Sequence, residues 1–278
     1  MSRIAARFAE LARANRAAFI PFITAGDPDA ETSSAILERL PGAGADLIEL
    51  GVPFSDPMAD GPAVQASSLR ALNAGMRVSK VLDMVRAFRA HDRDTPIILM
   101  GYFNPIHRYG VEAFARDAAE AGVDGVITVD LPPEEDAVLR GPANAGGLDI
   151  IRLATPTTDE KRLRTILDGA GGFLYYVSIA GVTGTKSYAQ SDVASALAKL
   201  KQRSKIPCAV GFGIKTPEQA AAIARMADGA VVGSAIVSRI AAALESGRPR
   251  ADIVMDVVDF CGTLAQSVHA ARDKSVVG

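Results

Sequence analysis

The sequence predicts an α/β fold, a single (β/α)8 TIM barrel spanning residues 1–278 with extra helices at its N-terminal and C-terminal ends. Three observations predict it. Eight short apolar runs, rich in Ile, Val, Leu or aromatics, recur from end to end, which suits parallel strands buried on both faces. Ala-rich stretches with helical spacing lie between most of them. No Pro/Gly/Ser-rich linker divides the 278 residues, a length that one barrel can fill.

The elements follow in order. Ile4–Ala14 is an N-terminal helix ahead of the first strand, Phe19–Thr24. The turn after that strand, Thr24-Ala25-Gly26-Asp27-Pro28, carries no nucleotide fingerprint. An open doubly wound sheet, the rival architecture, would need one there. Helix Thr32–Leu40 leads to the second strand, Leu47–Leu50. The gap to the third strand, Ile97–Gly101, is long enough for more than one helix. Helix Val111–Ala121 precedes the strand Gly125–Val129, and Glu134–Ala145 precedes Asp149–Leu153. Asp159 suits the N-cap before helix Lys161–Leu167. The sixth strand is Phe173–Val177, followed by helix Asp192–Lys201 and the strand Cys208–Gly211. Thr216 and Pro217 suit the cap and first turn of helix Pro217–Met226. The last strand is Ala230–Val232, and Ile253–Ala271 is a C-terminal helix.

Composition narrows function. Apolar residues make up 49% of the chain, enough for a large core. A net charge of −2 with no basic block gives no sign of nucleic acid or a membrane surface as partner. No apolar run approaches the roughly 20 residues of a membrane span. The opening residues lack a secretory signal's apolar stretch, and Cys208 and Cys261 lie far apart in apolar segments. A reduced cytoplasmic protein is expected. Three histidines, His91, His107 and His269, stand in unrelated contexts, so no histidine-based metal centre or triad is expected.

Two carboxylates stand out. Glu49 ends the apolar run Ala45-Asp46-Leu47-Ile48-Glu49-Leu50, where a charge is costly without a role or a partner. Strand alternation turns Leu47 and Glu49 toward the barrel interior, and Ile48 and Leu50 toward the helices. Glu49 lies near the C-terminal strand end, where barrels keep their chemistry, and its apolar surroundings should raise its pKa. The alternative is a structural glutamate paired with a lysine or arginine, but the flanking strand and loop contain none. Asp60 lies in the loop that follows, although Asp56-Pro57 and Asp60-Gly61 are also ordinary turn pairs.

Glycines follow the last three strands, at Gly181-Val182-Thr183-Gly184, Gly211-Phe212-Gly213-Ile214 and Gly233-Ser234. They allow backbone N–H groups to approach an anion, and Ser234 opens a short helix. Barrels commonly bind phosphate after strands seven and eight; simple turns are the alternative. Ser178–Ser191 is long, small and polar, and reads as a mobile lid or as a solvated surface loop. Phe22, Met100, Tyr102, Ile127, Tyr175 and Phe212 near strand ends are candidates for an apolar pocket, though each taken singly is more often plain core. Acids on one side, a phosphate site on the other and apolar walls between suit an elongated substrate with a flat apolar group and a phosphate tail.

The run Glu49-Leu-Gly-Val-Pro-Phe-Ser-Asp-Pro-Met-Ala-Asp60-Gly-Pro closely resembles the signature of the tryptophan synthase alpha subunit family. Phe19–Pro28, Met100–Pro105, Asp130–Glu135, Gly181–Gly184 and Gly211–Ile214 also match, in order, over nearly the whole chain. The resemblance implies a lyase that cleaves indole-3-glycerol phosphate, reversibly, to indole and glyceraldehyde 3-phosphate, a cofactor-free retro-aldol step in tryptophan biosynthesis. It implies Glu49 as acid and base and Asp60 as acceptor of the indole N–H. It places Phe22, Met100, Tyr102, Ile127, Val129, Leu153 and Phe212 in the indole pocket, with Tyr175 and Thr183 near the site. Gly184, Gly211, Gly213, Gly233 and Ser234 fall at the phosphate site. No cofactor or metal is expected in this chain. Pyridoxal phosphate is expected in a partner beta subunit, within an alpha2-beta2 heterotetramer that docks loop 53–60 and the Asn104-Pro105 loop.

The sequence departs from the family at Met58 and Met100, where leucine is common, a volume-conserving change. Ile179 stands in the lid where some members carry arginine, which removes any lid contact that needs that charge. A Schiff-base aldolase on the same fold would need a lysine at a strand end. Lys80, Lys161, Lys186, Lys199, Lys201, Lys205, Lys215 and Lys274 all fall outside the strand runs. A noncatalytic partner of the beta subunit and a standalone indole-releasing lyase are the other rivals.

Overall fold

The computed structural model describes residues 2–177, 190–211 and 213–273, with backbone alone at 190–192. The elements begin with α1 (Arg3–Arg13), β1 (Ala18–Thr24), α2 (Ala30–Arg39), β2 (Ile48–Gly51), α3 (Pro62–Asn73) and α4 (Val78–Arg89). The middle of the chain forms β3 (Ile97–Gly101), α5 (Phe103–Tyr109), α6 (Val111–Ala121), β4 (Gly125–Thr128), α7 (Ala137–Ala145), β5 (Asp149–Ile150) and β6 (Arg152–Ala154). Then come α8 (Glu160–Leu167), β7 (Leu174–Val177), α9 (Gln190–Arg203), β8 (Cys208–Gly211), α10 (Pro217–Met226), β9 (Gly229–Val232), α11 (Ser234–Glu245) and α12 (Arg250–Ala270).

All strand pairs are parallel, in the order β5-β4-β3-β2-β1-β9-β8-β7-β6. The two ends of that order, β5 and β6, are separated in sequence only by Ile151, so the sheet curls until its edges meet. The expected fifth strand is therefore two segments. Its first half pairs with β4 (Gly125↔Asp149) and its second with β7 (Arg152↔Leu174), and the ladder changes partner between them. Nine segments thus fill the eight strand positions of a TIM barrel.

Alternation along each strand divides the core. Leu47, Ile98, Ile127, Ile151, Phe173, Tyr175, Ala209 and Val231 fill the barrel interior. Ile48, Leu50, Ile97, Leu99, Val126 and Val232 face outward into the layer formed with the helices. Ile4, Phe8 and Leu11 of α1 belong to the interior cluster, so α1 plugs one end of the barrel, with the Phe8 and Phe173 rings 5.6 Å apart. Burying a phenylalanine is worth roughly 1.5–3 kcal/mol. Ser2 caps α1 and donates to Asp149 Oδ2 at 2.7 Å. On the outside, α12 packs against α10, α2 and β1.

The expected caps form: Asp159 accepts from Arg162 N, and Thr216 makes a full capping box with Gln219. Two helices, α3 and α4, occupy the long gap after β2. Two expectations need correction. The Asn104-Pro105 loop is the start of α5, because proline is tolerated in a helix's first turn. The helix expected from Glu134 begins at Ala137, because Glu135 N closes a turn on Pro132 O at 2.9 Å. The lid at Ser178–Ser191 lies largely outside the described residues.

Candidate active site

Strand β2 ends at the barrel mouth, and its register places Glu49 opposite Phe22 of β1 and Ile98 of β3. Odd positions of β2 face inward, so Glu49 points into the interior and is fully buried. Neither carboxylate oxygen has a hydrogen-bond partner among the described residues, and no described cation pairs with it. No ion pair among the described residues explains this glutamate. Burial alone pushes its pKa up to about 8, so near neutrality the carboxyl keeps its proton.

After β2 the chain runs through a loop to Gly61, the N-cap of α3, with Pro62 at the helix start. Asp60 N closes a turn on Pro57 O at 3.0 Å. The Tyr102 hydroxyl accepts from Ala59 N at 2.9 Å and donates to Asp60 Oδ2 at 3.2 Å. Burial raises the Asp60 pKa to about 6, and the tyrosine bond opposes that rise. The two carboxyls therefore titrate apart. Between about pH 6 and pH 8, Glu49 carries a proton and Asp60 carries a charge. Tyr175 is buried; its hydroxyl is held protonated by burial and by the charges of Glu49 and Asp60.

A cleft of about 520 Å³, counted out to its open mouth, joins these groups. Glu49 and Asp60 lie in its wall with Phe22, Met100 and Tyr175. Gly213, Gly233 and Ser234 also line it. An adjoining hollow shares Phe22, Asp60 and Met100 and adds Tyr102 and Val129. Gly213 has φ +81°, a conformation that glycine adopts without strain. Gly233 is the N-cap of α11 and Ser234 its first residue, and both line the cleft, so this helix start is presented to it. A Cβ at Gly51 would lie 2.6 Å from Phe22 Cζ, and one at Gly211 would lie 2.0 Å from the Tyr175 hydroxyl. These two glycines let the aromatic walls approach the backbone.

Other expected residues are placed differently. Ile127 lies in the interior core and does not line the cleft. Leu153 lines a separate hollow, with Thr128 and Arg152, beside the gap between β4 and β6, and Val129 borders both this hollow and the one adjoining the cleft. Gly211 backs Tyr175 instead of lining the cleft. Thr183, Gly184 and Phe212 lie outside the described residues. Gly61, Val64, Ile214 and Val231 line the cleft and were not expected. Val231 was legible from strand parity, and Val64 from its position one helical turn after Asp60. No lysine lines the cleft among the described residues, and no described His, Cys, Asp or Glu side chains group as metal ligands. The arrangement can hand a proton from a neutral carboxyl to an apolar ring and can stabilise positive charge opposite it.

Comparison with known proteins agrees with this geometry. The family described as tryptophan synthase alpha chain matches residues 8–269. A tryptophan synthase subunit alpha from Legionella pneumophila str. Paris is 40% identical, with a TM-score of 0.89, over 96% of this chain and 98% of that one. A chain of tryptophan synthase from M. tuberculosis, in an aminoacrylate-bound form, is 34% identical, with a TM-score of 0.85, over 97% and 100%. A protein from Aquifex aeolicus VF5 is 34% identical, with a TM-score of 0.86, over 96% and 99%.

Proposed function

The chain belongs to the tryptophan synthase alpha chain family, and from that premise we propose which of its residues carry the family's reaction. It is a carbon–carbon lyase of tryptophan biosynthesis that cleaves indole-3-glycerol phosphate to indole and glyceraldehyde 3-phosphate.

The observation that carries the assignment is a fully buried, protonated Glu49, without a partner among the described residues, facing the same cleft as Asp60. Glu49 gives its proton to C3 of the indole ring, which leaves an iminium with positive charge at the ring nitrogen. Asp60 accepts a hydrogen bond from the N–H and stabilises that charge. The Glu49 carboxylate so formed takes the proton of the side-chain hydroxyl beside the ring. The carbon–carbon bond then breaks, its electron pair returns to the ring, and the hydroxyl carbon becomes the aldehyde. Phe22, Met100, Tyr102, Val129 and Tyr175 wall the ring, Ile127 packs in the interior core, and family membership assigns Leu153, Thr183 and Phe212 to substrate binding. Gly213, Gly233 and Ser234 hold the phosphate through backbone N–H groups and the start of α11, and family membership assigns Gly184 and Gly211 to the same role.

Membership implies a beta-subunit partner. We further propose an alpha2-beta2 heterotetramer in the cytoplasm, this chain entering it as a single domain over residues 1–278. Among the described residues, no helix is long and apolar enough to cross a membrane. Pyridoxal phosphate would reside in the beta subunit. The described cleft of this chain offers no lysine to hold it, and no step here runs through it. The test is indole release from indole-3-glycerol phosphate, with and without the cognate beta subunit. Weak release alone and a large rise with partner is expected. Strong release alone points to a standalone lyase, and none in either condition to a noncatalytic partner.

A further inference from the structure

Asp60 lies on a loop, and a loop carboxylate is placed only as well as its backbone is held. The Gln65 side chain, one turn into α3, reaches back to this loop. Its Nε2 donates to Asp60 O at 2.8 Å and, more weakly, to Pro57 O at 3.4 Å. Those carbonyls bracket the turn that delivers Asp60. The helix behind Gln65 is itself fixed on the barrel: the Ser67 and Thr24 hydroxyls meet at 2.6 Å, joining α3 to β1. Arg70 forks onto Asp27 just beyond β1, at 2.7 and 2.9 Å. A continuous set of contacts thus runs from β1 through α3 and the Gln65 carboxamide to the Asp60 backbone.

We propose that Gln65 is a positioning residue that sets Asp60 for its acceptor role by clasping the 57–60 turn. It touches no reacting atom and acts through Asp60, so the inference rests on the role given to Asp60 above. Met at position 65 keeps length and helix propensity but removes both donors. Each variant is assayed in complex with the cognate beta subunit. Gln65→Met should lower kcat about tenfold, the scale of one lost hydrogen bond, with KM changed less than about twofold because the phosphate loops are untouched. In an Asp60→Asn background the same substitution should cost nothing further. Gln65→Leu also removes the donors without adding a charge and should behave alike, which covers a failure of Gln65→Met to fold. Equal losses in both backgrounds, or no loss in either, would overturn the positioning role. Near-native turnover by Asp60→Asn alone would instead overturn the Asp60 assignment, and the proposal with it.

Discussion

Replacing Glu49 with glutamine separates the electrostatics of this site from its packing. The native carboxyl holds its proton up to about pH 8, whereas the same group in the unfolded chain releases it near 4.5. Between those values the unfolded state binds fewer protons than the native state, so stability falls as pH rises. Each unit of difference is worth about 1.4 kcal/mol. From pH 5 to pH 8, Glu49 therefore removes on the order of 3 kcal/mol of folding stability. Glutamine has no proton to lose. Its buried amide carries a constant cost of about 1–3 kcal/mol for unmade hydrogen bonds, which cancels when the two pH values are compared. Urea unfolding of wild type and Glu49→Gln at pH 5, 6.5 and 8 reads the effect. The stability difference should move in the variant's favour by about 3 kcal/mol across that range. Parallel stability curves would refute a buried Glu49 that keeps its proton up to about pH 8.

The other expectations test separate parts of the structure. Because Glu49 must be protonated and Asp60 ionised, kcat/KM should be bell-shaped with limbs near pH 6 and pH 8, and a flat profile over that window would contradict the assignment. Tyr102→Phe removes the hydrogen bond that lowers the Asp60 pKa, so the acid limb should move to higher pH while the alkaline limb stays. Gly211→Ala places a Cβ 2.0 Å from the Tyr175 hydroxyl and should destabilise by about 1–3 kcal/mol with a loss of turnover, read by denaturation and indole release. Phe8→Ala empties the barrel plug beside Phe173 and should cost about 3–5 kcal/mol in unfolding free energy while leaving KM unchanged.

Strand parity in Ala45–Leu50 was enough to aim Glu49 inward, because a parallel strand buried on both faces leaves only two directions for a side chain. The caps at Asp159 and Thr216 were legible for a similar reason: each is a local backbone requirement met by a local side chain. The split of strand five was not, because it depends on which neighbours offer hydrogen bonds on either side of Ile151. Nor was the Tyr102 bond to Asp60, which joins positions 42 residues apart and required both loops to be in place. Tyr102 read from sequence as a wall of the pocket; the fold gives its hydroxyl a second task. The Asn104-Pro105 loop came with the family resemblance, yet Pro105 sits where a helix's first turn accepts proline.

The most direct test of the central claim is indole release from indole-3-glycerol phosphate by Glu49→Gln, in complex with the cognate beta subunit and at a pH near 7. The amide cannot give its proton to C3 or take one back. A loss of about 100-fold or more in kcat is predicted, with the variant folded and its beta-subunit contact intact. Turnover near the wild-type rate would contradict the account and leave the buried carboxyl without a role.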